Sequence, residues 1–331
     1  MRAAMTLALI VTCATAWATD VQTYYIDENG TSYNVTATVL TGSETSIGTA
    51  GETTWYVVNS DITYNGKISY LGYPSLILAD GKTMTVNNNG DEPAIEGNQA
   101  TKLTIYGQTL GSGSLVASST SGYAAIKTTG NIEIYGGHVS ATGQRGIKVQ
   151  YIYIKGGSVS ATGTLQGITA WRFYVYGGQV TAMGGEGYNG IQSNYNISIG
   201  WRKTSDFITW NGYSSESHTV YIMDYKTFYA GATAYYDDGN GIGVSIPDGT
   251  VTLRPYSSDD LSVNEAGTEY TIHTAAGWGY FCDAIDGGES FSGKTVKLDA
   301  DISVSHCTGS GTDEEHAMDE HPFCGTFNGQ G

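Results

Sequence analysis

The chain has 331 residues, of which 40% are hydrophobic, enough to bury a core and to exclude a disordered polymer. It contains 46 glycines, 25 tyrosines and only 5 prolines, a composition that excludes collagen-like sequence and favours strands over helices, so we expect an all-β protein. Thirty-two acidic residues against 15 basic ones give a net charge of −17, which disfavours nucleic acid as a partner.

The N-terminal segment has the pattern of a secretory signal. Arg2 precedes an apolar run at 3–11, and small residues follow at Ala16 and Ala18. We interpret 1–18 as a signal peptide that is removed, since the apolar run is shorter than the roughly 20 residues that span a membrane. The sequence therefore predicts a secreted, extracellular protein without a transmembrane segment.

Residues 19–54 are predicted to form an N-terminal β cap. A run of strand-forming residues begins at Tyr24 and resumes at Thr31. The pair Asn29-Gly30 between the two runs is a strong signal for a hairpin turn. A hairpin at this point would cover the exposed edge of the sheet that follows it.

Residues 55–200 contain an internal repeat. Three aligned copies begin at Asn131, Tyr151 and Arg172, and their Gly-Gly pairs begin at Gly136, Gly156 and Gly177. Within each copy apolar residues alternate with polar ones, which predicts short strands. One copy is too small to bury its apolar side chains alone, so the copies must stack. We predict a parallel β-helix, right-handed, with three-faced coils of about 20 residues and glycine at the corners.

The regular spacing ends near Gly200. We assign 201–270 to a less regular β region and 271–331 to the start of a second β-helical module. The charge also changes along the chain, because 232–331 contain 17 acidic and 3 basic residues whereas 19–231 contain 15 and 11. The acidic character is therefore concentrated in the last third of the chain.

Several motifs follow one another in a recognisable order. They are Trp55-Tyr-Val-Val, Leu76-Ile-Leu-Ala-Asp-Gly, Leu103-Thr-Ile-Tyr-Gly-Gln and the Gly-Gly-x-Val-x-Ala-Thr-Gly coils. This order resembles a family of secreted bacterial β-helix proteins labelled carbohydrate-binding, across residues 20–270. The segment from Gly277 is similar to the opening of a second module of bacterial surface proteins. The resemblance implies an adhesin-like scaffold, a fragment of a longer protein, and no catalytic residues.

Tyrosines that recur in the repeat are the strongest candidate binding residues. They are Tyr135, Tyr151, Tyr153, Tyr174 and Tyr176. Tyr135 and Tyr176 share one repeat position, and Tyr153 and Tyr174 share another. Rings in a row on a flat face could stack on sugar rings while their hydroxyls form hydrogen bonds. The alternative is that tyrosine simply favours exposed strands, since Lys155 and Glu133 interrupt the two rows.

A polar cluster near the C-terminus could hold a metal. His316, His321, Cys307 and Cys324 have the ligand chemistry of zinc. Their spacing matches no strong zinc motif, so we favour a plain acidic loop or a disulfide. The disulfide would join two of the three cysteines Cys282, Cys307 and Cys324.

Two acidic pairs, Asp237-Asp238 and Asp259-Asp260, could bind Ca²⁺ or supply the two carboxylates of a glycosidase. Turn formation explains them more simply, because Asp accepts hydrogen bonds from nearby backbone amides in turns. We therefore expect no cofactor, with Ca²⁺ as an open alternative.

Three functions are compatible with the sequence. The first is a secreted or cell-surface binding module, adhesin-like, that contacts polysaccharide through an exposed aromatic strand face without catalysis. The second is a polysaccharide lyase or glycoside hydrolase, which requires a carboxylate pair or a Ca²⁺ site that the readable coils lack. The third is a structural spacer within a longer surface protein.

Overall fold

The computed structural model describes residues 19–303 and 324–329. Within these ranges it does not describe 99, 121, 196, 204, 213–216, 223–227, 231–232, 236–241, 246–248, 256–258, 265 and 287–289. The segment interpreted as a signal peptide, 1–18, therefore lies outside the described residues. The described chain is mostly β, with long parallel sheets and one helix.

The strands and the helix follow one another at short intervals. The first ten strands are β1 (Asp20–Ile26), β2 (Ser32–Val39), β3 (Ser46–Ile47), β4 (Thr53–Val58), β5 (Ile62–Asn65), β6 (Ile68–Tyr70), β7 (Tyr73–Leu78), β8 (Thr83–Asn88), β9 (Ile95–Gly97) and β10 (Lys102–Gly107). The next twelve are β11 (Ser114–Ser119), β12 (Ala124–Thr128), β13 (Asn131–Ile134), β14 (His138–Gly143), β15 (Arg145–Ile154), β16 (Ser158–Gly163), β17 (Ile168–Val175), β18 (Gln179–Met183), β19 (Ile191–Ser193), β20 (Ile197–Ile199), β21 (Phe207–Gly212) and β22 (Ser217–Ile222). The last elements are β23 (Phe228–Ala230), β24 (Thr233–Tyr235), β25 (Ile242–Ser245), β26 (Gly249–Arg254), β27 (Leu261–Val263), β28 (Glu269–Ile272), α1 (Ala275–Asp286), β29 (Thr295–Leu298) and β30 (Thr326–Asn328).

Three rows of parallel strands run through the structure. Row A contains β4, β7, β10, β13, the second halves of β15 and β17, β20 and β22. Row B contains β5, β8, β11, β14, β16, β18 and β21. Row C contains β3, β6, β9, β12, the first halves of β15 and β17, and β19. The chain passes through rows A, B and C in turn, and we call one such passage a coil.

The register predicted from the repeat is confirmed. In row A, Ile134 pairs with Ile154, and Ile154 pairs with Val175. In row B, Val139 pairs with Val159. These side chains are almost fully buried, and they belong to one core cluster that extends along all three rows. Because neighbouring strands lie about 4.8 Å apart, each core side chain contacts its equivalents in the coils before and after it.

Paired glycines form the turn from row A to row B. The φ angles of Gly137, Gly157 and Gly178 are +77°, +73° and +94°, in the left-handed region that favours glycine. A Cβ atom on Gly157 would also lie 2.4 Å from the carbonyl oxygen of Gly137 in the preceding coil. Both backbone conformation and space therefore require glycine at this corner.

The predicted N-terminal hairpin is present, since β1 and β2 pair antiparallel with Tyr25 opposite Tyr33. β2 also pairs in parallel with β4, and β1 meets β10 at Ile26 and Gly107. The strands β1, β2, β4, β7 and β10 thus close into a small five-stranded ring. Inside this ring lies a second buried core, formed by Ala37, Val57 and Ile77. The hairpin therefore covers the outer side of the first row A strands as well as the edge of β4.

Strand pairing changes after β22. β26 lies antiparallel to β21, and β25 lies antiparallel to β22. β27, β28, β29 and β30 form a separate four-stranded sheet with its own core.

The helix α1 corrects the all-β expectation. Trp278, Phe281 and Ile285 recur at helical spacing and pack with the core of the four-stranded sheet. Gly277 and Gly279 in the same segment weaken its helix propensity, which is why the sequence did not predict α1.

Replacing Ile154 by alanine tests the continuous core. The side chain is 0% exposed, so Ile154→Ala should lower the free energy of unfolding by about 2–5 kcal/mol. As a control, Thr162→Ala removes an exposed side chain from row B and should change it by less than about 0.5 kcal/mol. Urea unfolding would measure both values, and equal effects would contradict the packing described.

Candidate functional site

All five predicted tyrosines lie on the outer side of row A, in β13, β15 and β17 or directly after them. The register places Tyr153 opposite Tyr174 and Tyr151 opposite Arg172. Two residues further along each strand, Tyr135, Lys155 and Tyr176 follow one another from coil to coil. We call this surface the aromatic face. It is formed by Glu133, Tyr135, Tyr151, Tyr153, Lys155, Arg172, Tyr174 and Tyr176.

Ring geometry corrects the expectation that these tyrosines offer open ring faces. The rings of Tyr153 and Tyr174 are 4.9 Å apart with an interplanar angle of 2°, and Tyr174 and Tyr176 are 6.2 Å apart. All five tyrosines are half-buried rather than fully exposed. Since Tyr153, Tyr174 and Tyr176 stack on one another, this part of the face presents mainly ring edges and hydroxyl groups to solvent.

Lys155 contacts the neighbouring tyrosine side chain instead of simply interrupting the line of aromatic residues between Tyr135 and Tyr176. Its Nζ atom donates a hydrogen bond of 2.6 Å to Tyr135 Oη and lies 4.4 Å from the centre of that ring. Tyr135 Oη donates to Glu133 Oε2 at 3.1 Å, and Lys155 Nζ lies 3.8 Å from the same carboxylate oxygen. Lys102 Nζ, 3.4 Å from Glu133 Oε1, completes the cluster. Glu133 is therefore neutralised by two lysines.

The hairpin determines where the aromatic face begins. Tyr25 lies 4.8 Å from Trp55 and 4.3 Å from Tyr106, measured between ring centres. Tyr106 in turn stacks on Tyr135 at 4.7 Å. The column of rings thus continues under the hairpin, but only from Tyr135 onward is it open to a ligand.

A cleft of about 910 Å³ lies beside the aromatic face, along the glycine corner. The glycine pairs at 136–137, 156–157 and 177–178 line it, together with Tyr135 and Lys155. The hairpin tip at 26–30 and the loop residues 201–203 and 205–206 line it as well. Arg202 Nη1 donates a 2.8 Å hydrogen bond to the carbonyl oxygen of Glu28, which joins the hairpin tip to that loop.

Asp206 organises the loop at one end of the cleft. It is 3% exposed, and its Oδ2 atom accepts hydrogen bonds from the amides of Arg202 and Lys203, each at 2.8 Å. Its Oδ1 atom accepts a hydrogen bond of 2.9 Å from the amide of Gly178. No local motif in the sequence marks this residue as a site residue.

A second recess of about 500 Å³ lies at the opposite edge of the aromatic face. Tyr151, Asn131, Lys102 and Tyr73 are among the residues that line it. The predicted residues are therefore divided, with Tyr135 at the glycine cleft, Tyr151 at the second recess, and the other three tyrosines between them.

Three of the four zinc candidates fall on residues that the structure does not describe. Cys307, His316 and His321 lie outside the described residues, whereas Cys324 is exposed. Within the part of the chain that the structure describes, no group of three or more His, Cys, Asp or Glu residues could hold a metal ion.

Of the two acidic pairs, the structure describes Asp259-Asp260. Asp237 and Asp238 are outside the described residues. Asp260 is 4% exposed, and it accepts a hydrogen bond of 2.6 Å from Arg254 and one of 2.8 Å from Thr274 Oγ1. These contacts give its carboxylate a structural role.

No known protein family, curated protein or solved structure matches this chain. Among the described helical residues, no segment has the length and apolar character required to cross a membrane.

Tyr135 provides a test of this geometry through pH. Burial, followed by the charge of Glu133 and its hydrogen bond, raises the pKa of Tyr135 well above its usual value. Since the unfolded chain ionises first, the protonated phenol contributes stability that is lost as pH rises above about 10. Tyr135→Phe should therefore become progressively less destabilising between pH 9 and 11, as measured by urea unfolding relative to the wild type. A difference that is independent of pH would contradict the described environment.

Proposed function

We propose that this chain is a secreted or cell-surface module that binds polysaccharide through the aromatic face, without catalysis. We further propose that its fold is a right-handed parallel β-helix with three-faced coils. The support for the fold is the recurrence of rows A, B and C in register. The resemblance to secreted carbohydrate-binding β-helix proteins remains part of the proposal.

The stacked tyrosines of successive coils are the observation that carries the proposal. Strands of a sheet lie about 4.8 Å apart, a distance comparable to the length of one sugar residue in an extended polymer. A chain lying across the strands would therefore meet a similar set of groups at each residue. Tyr153 and Tyr174 offer it phenol hydroxyls at this interval, with ring edges between them.

The polar groups of the face suit a binding role. Glu133 is the one carboxylate of the aromatic face, and it is held by Lys102, Lys155 and Tyr135. A glycosidase requires two carboxylates flanking the bond to be cleaved, and the face as defined here does not supply such a pair. Hydroxyls and amphipathic rings with a few fixed charges are typical of sites that bind sugars without cleaving them.

The proposal is tested by truncating the two central rings. Tyr153→Ala/Tyr174→Ala should weaken binding to a responsive polysaccharide about tenfold or more, because two stacked contact groups are lost. Tyr123→Ala is the matched control, since Tyr123 is an exposed tyrosine outside the aromatic face.

Residues 19–331 would be incubated with a panel of polysaccharides, and both protein depletion and newly released sugar ends would be measured. Depletion without release that depends on Tyr153 and Tyr174 supports the proposal. Release of sugar ends would instead favour a lyase or hydrolase. The absence of both effects would favour a structural spacer.

A further inference from the structure

We propose that the glycine cleft is a carboxylate-binding site, which takes the acid groups of a uronic acid polysaccharide bound along the aromatic face. This inference rests on the proposed function, and it names the class of polysaccharide. It is based on the corner at Gly178, where the protein binds one of its own carboxylates, that of Asp206.

At that corner, the amide of Gly178 donates to Asp206 Oδ1 at 2.9 Å. Gly178 has a φ of +94°, so its backbone follows the left-handed conformation of the whole glycine column. Consecutive backbone amides in turns of this kind form concave sites that bind anions. The Asp206 contact therefore indicates which chemical group this corner accepts.

The equivalent corner one coil earlier is open. The register places Gly157 at the position of Gly178, with a similar φ of +73°. Gly157 is exposed and lines the cleft, and its amide has no acceptor among the described residues. A carboxylate from outside could thus occupy at Gly157 the place that Asp206 occupies at Gly178.

Two neighbouring groups add to this site. Lys155, two residues before Gly157, lines the cleft, and its positive charge, which it shares with Glu133 at 3.8 Å, strengthens a hydrogen-bonded contact with a carboxylate. Trp201 also lines the cleft, is only 7% exposed, and has no hydrogen-bond partner for its indole Nε1 atom. A buried donor without a partner costs stability, so this end of the cleft contains a polar group that the free protein leaves unsatisfied.

The charges of the surrounding chain permit an acidic ligand. Residues 19–231 carry 15 acidic and 11 basic groups, so most of the net charge of −17 comes from the segment 232–331. Asp27 and Glu28 on the hairpin tip also line the cleft, and they oppose a bound anion. Asp27 Oδ1 accepts hydrogen bonds from the amides of Asn29 and Thr31, which leaves Glu28 as the residue to test.

The experiment compares polygalacturonate with the same polymer after reduction of its carboxyl groups to alcohols. The wild-type chain should bind the native polymer about tenfold more tightly, the value expected of one charge-assisted contact. Lys155→Ala should abolish this preference, and Glu28→Gln should increase it. Lys148→Ala is the matched control, because Lys148 is an exposed lysine of the same strand, β15, in row C.

Asp206→Ala supplies a second readout that requires no polysaccharide. This variant opens the Gly178 corner in addition to the Gly157 corner, so its melting temperature should rise more in sodium formate, relative to sodium chloride of equal concentration, than the melting temperature of the wild type does.

Equal affinity for the two polymers, with binding still dependent on Tyr153 and Tyr174, would overturn the carboxylate site and leave the proposed function standing. Polyglutamate bound as tightly as polygalacturonate would overturn the choice of a glycan. If neither polymer binds, the proposed function fails. A higher melting temperature of Asp206→Ala in formate than in chloride would then still support the glycine corner as a carboxylate site. Equal melting temperatures in the two salts would overturn the carboxylate site as well.

Discussion

Successive coils must present equivalent side chains to one another, because in-register parallel strands allow no other arrangement of side chains at a spacing of about 4.8 Å. Inside the molecule this constraint produces the column Ile134, Ile154 and Val175. Outside, it produces the stacked pair Tyr153 and Tyr174. The same constraint brings the corners so close that side chains are excluded from them. The core, the aromatic face and the glycine cleft are three results of one packing rule.

The hairpin modifies this regular pattern at one end of row A. By closing the ring of β1, β2, β4, β7 and β10, it converts outward positions such as Val57 and Ile77 into a second core. The uninterrupted apolar run of β7 reflects this burial on both sides, whereas later strands alternate. The hairpin tip then continues over the glycine corner and forms a wall of the cleft. One element thus limits the length of the aromatic face and also shapes its neighbouring cavity.

The sequence predicted the features that repeat and the hairpin with its local Asn29-Gly30 turn signal, and it missed features that depend on contacts between distant segments. The shared positions of Tyr135 and Tyr176, and of Tyr153 and Tyr174, followed from counting along the repeat, since equivalent residues must align once coils stack. Two signals were available but were not used. The double-sided burial of β7 was visible in its apolar run, and α1 was visible in the helical spacing of Phe281 and Ile285.

Other features have no local signal. The docking of the hairpin and the role of Asp206 depend on contacts between distant segments, such as Glu28 with Arg202 and Gly178 with Asp206. Half-burial of the tyrosines likewise depends on how neighbouring rings pack. For that reason the repeat positions located the candidate surface, but they did not reveal that ring edges rather than faces are presented.

The contact between Glu28 and Arg202 has a consequence for the order of folding. Its two residues are separated by 174 positions in sequence, whereas most strand pairs in the rows join segments about 20 to 30 positions apart. Closing so large a loop costs more conformational entropy than closing the loop of one coil. The intervening coils shorten that distance once they have stacked. During synthesis, the tip of the hairpin can therefore complete its docking only after the segment around Arg202 has been made, well after β1 and β2 themselves have been translated.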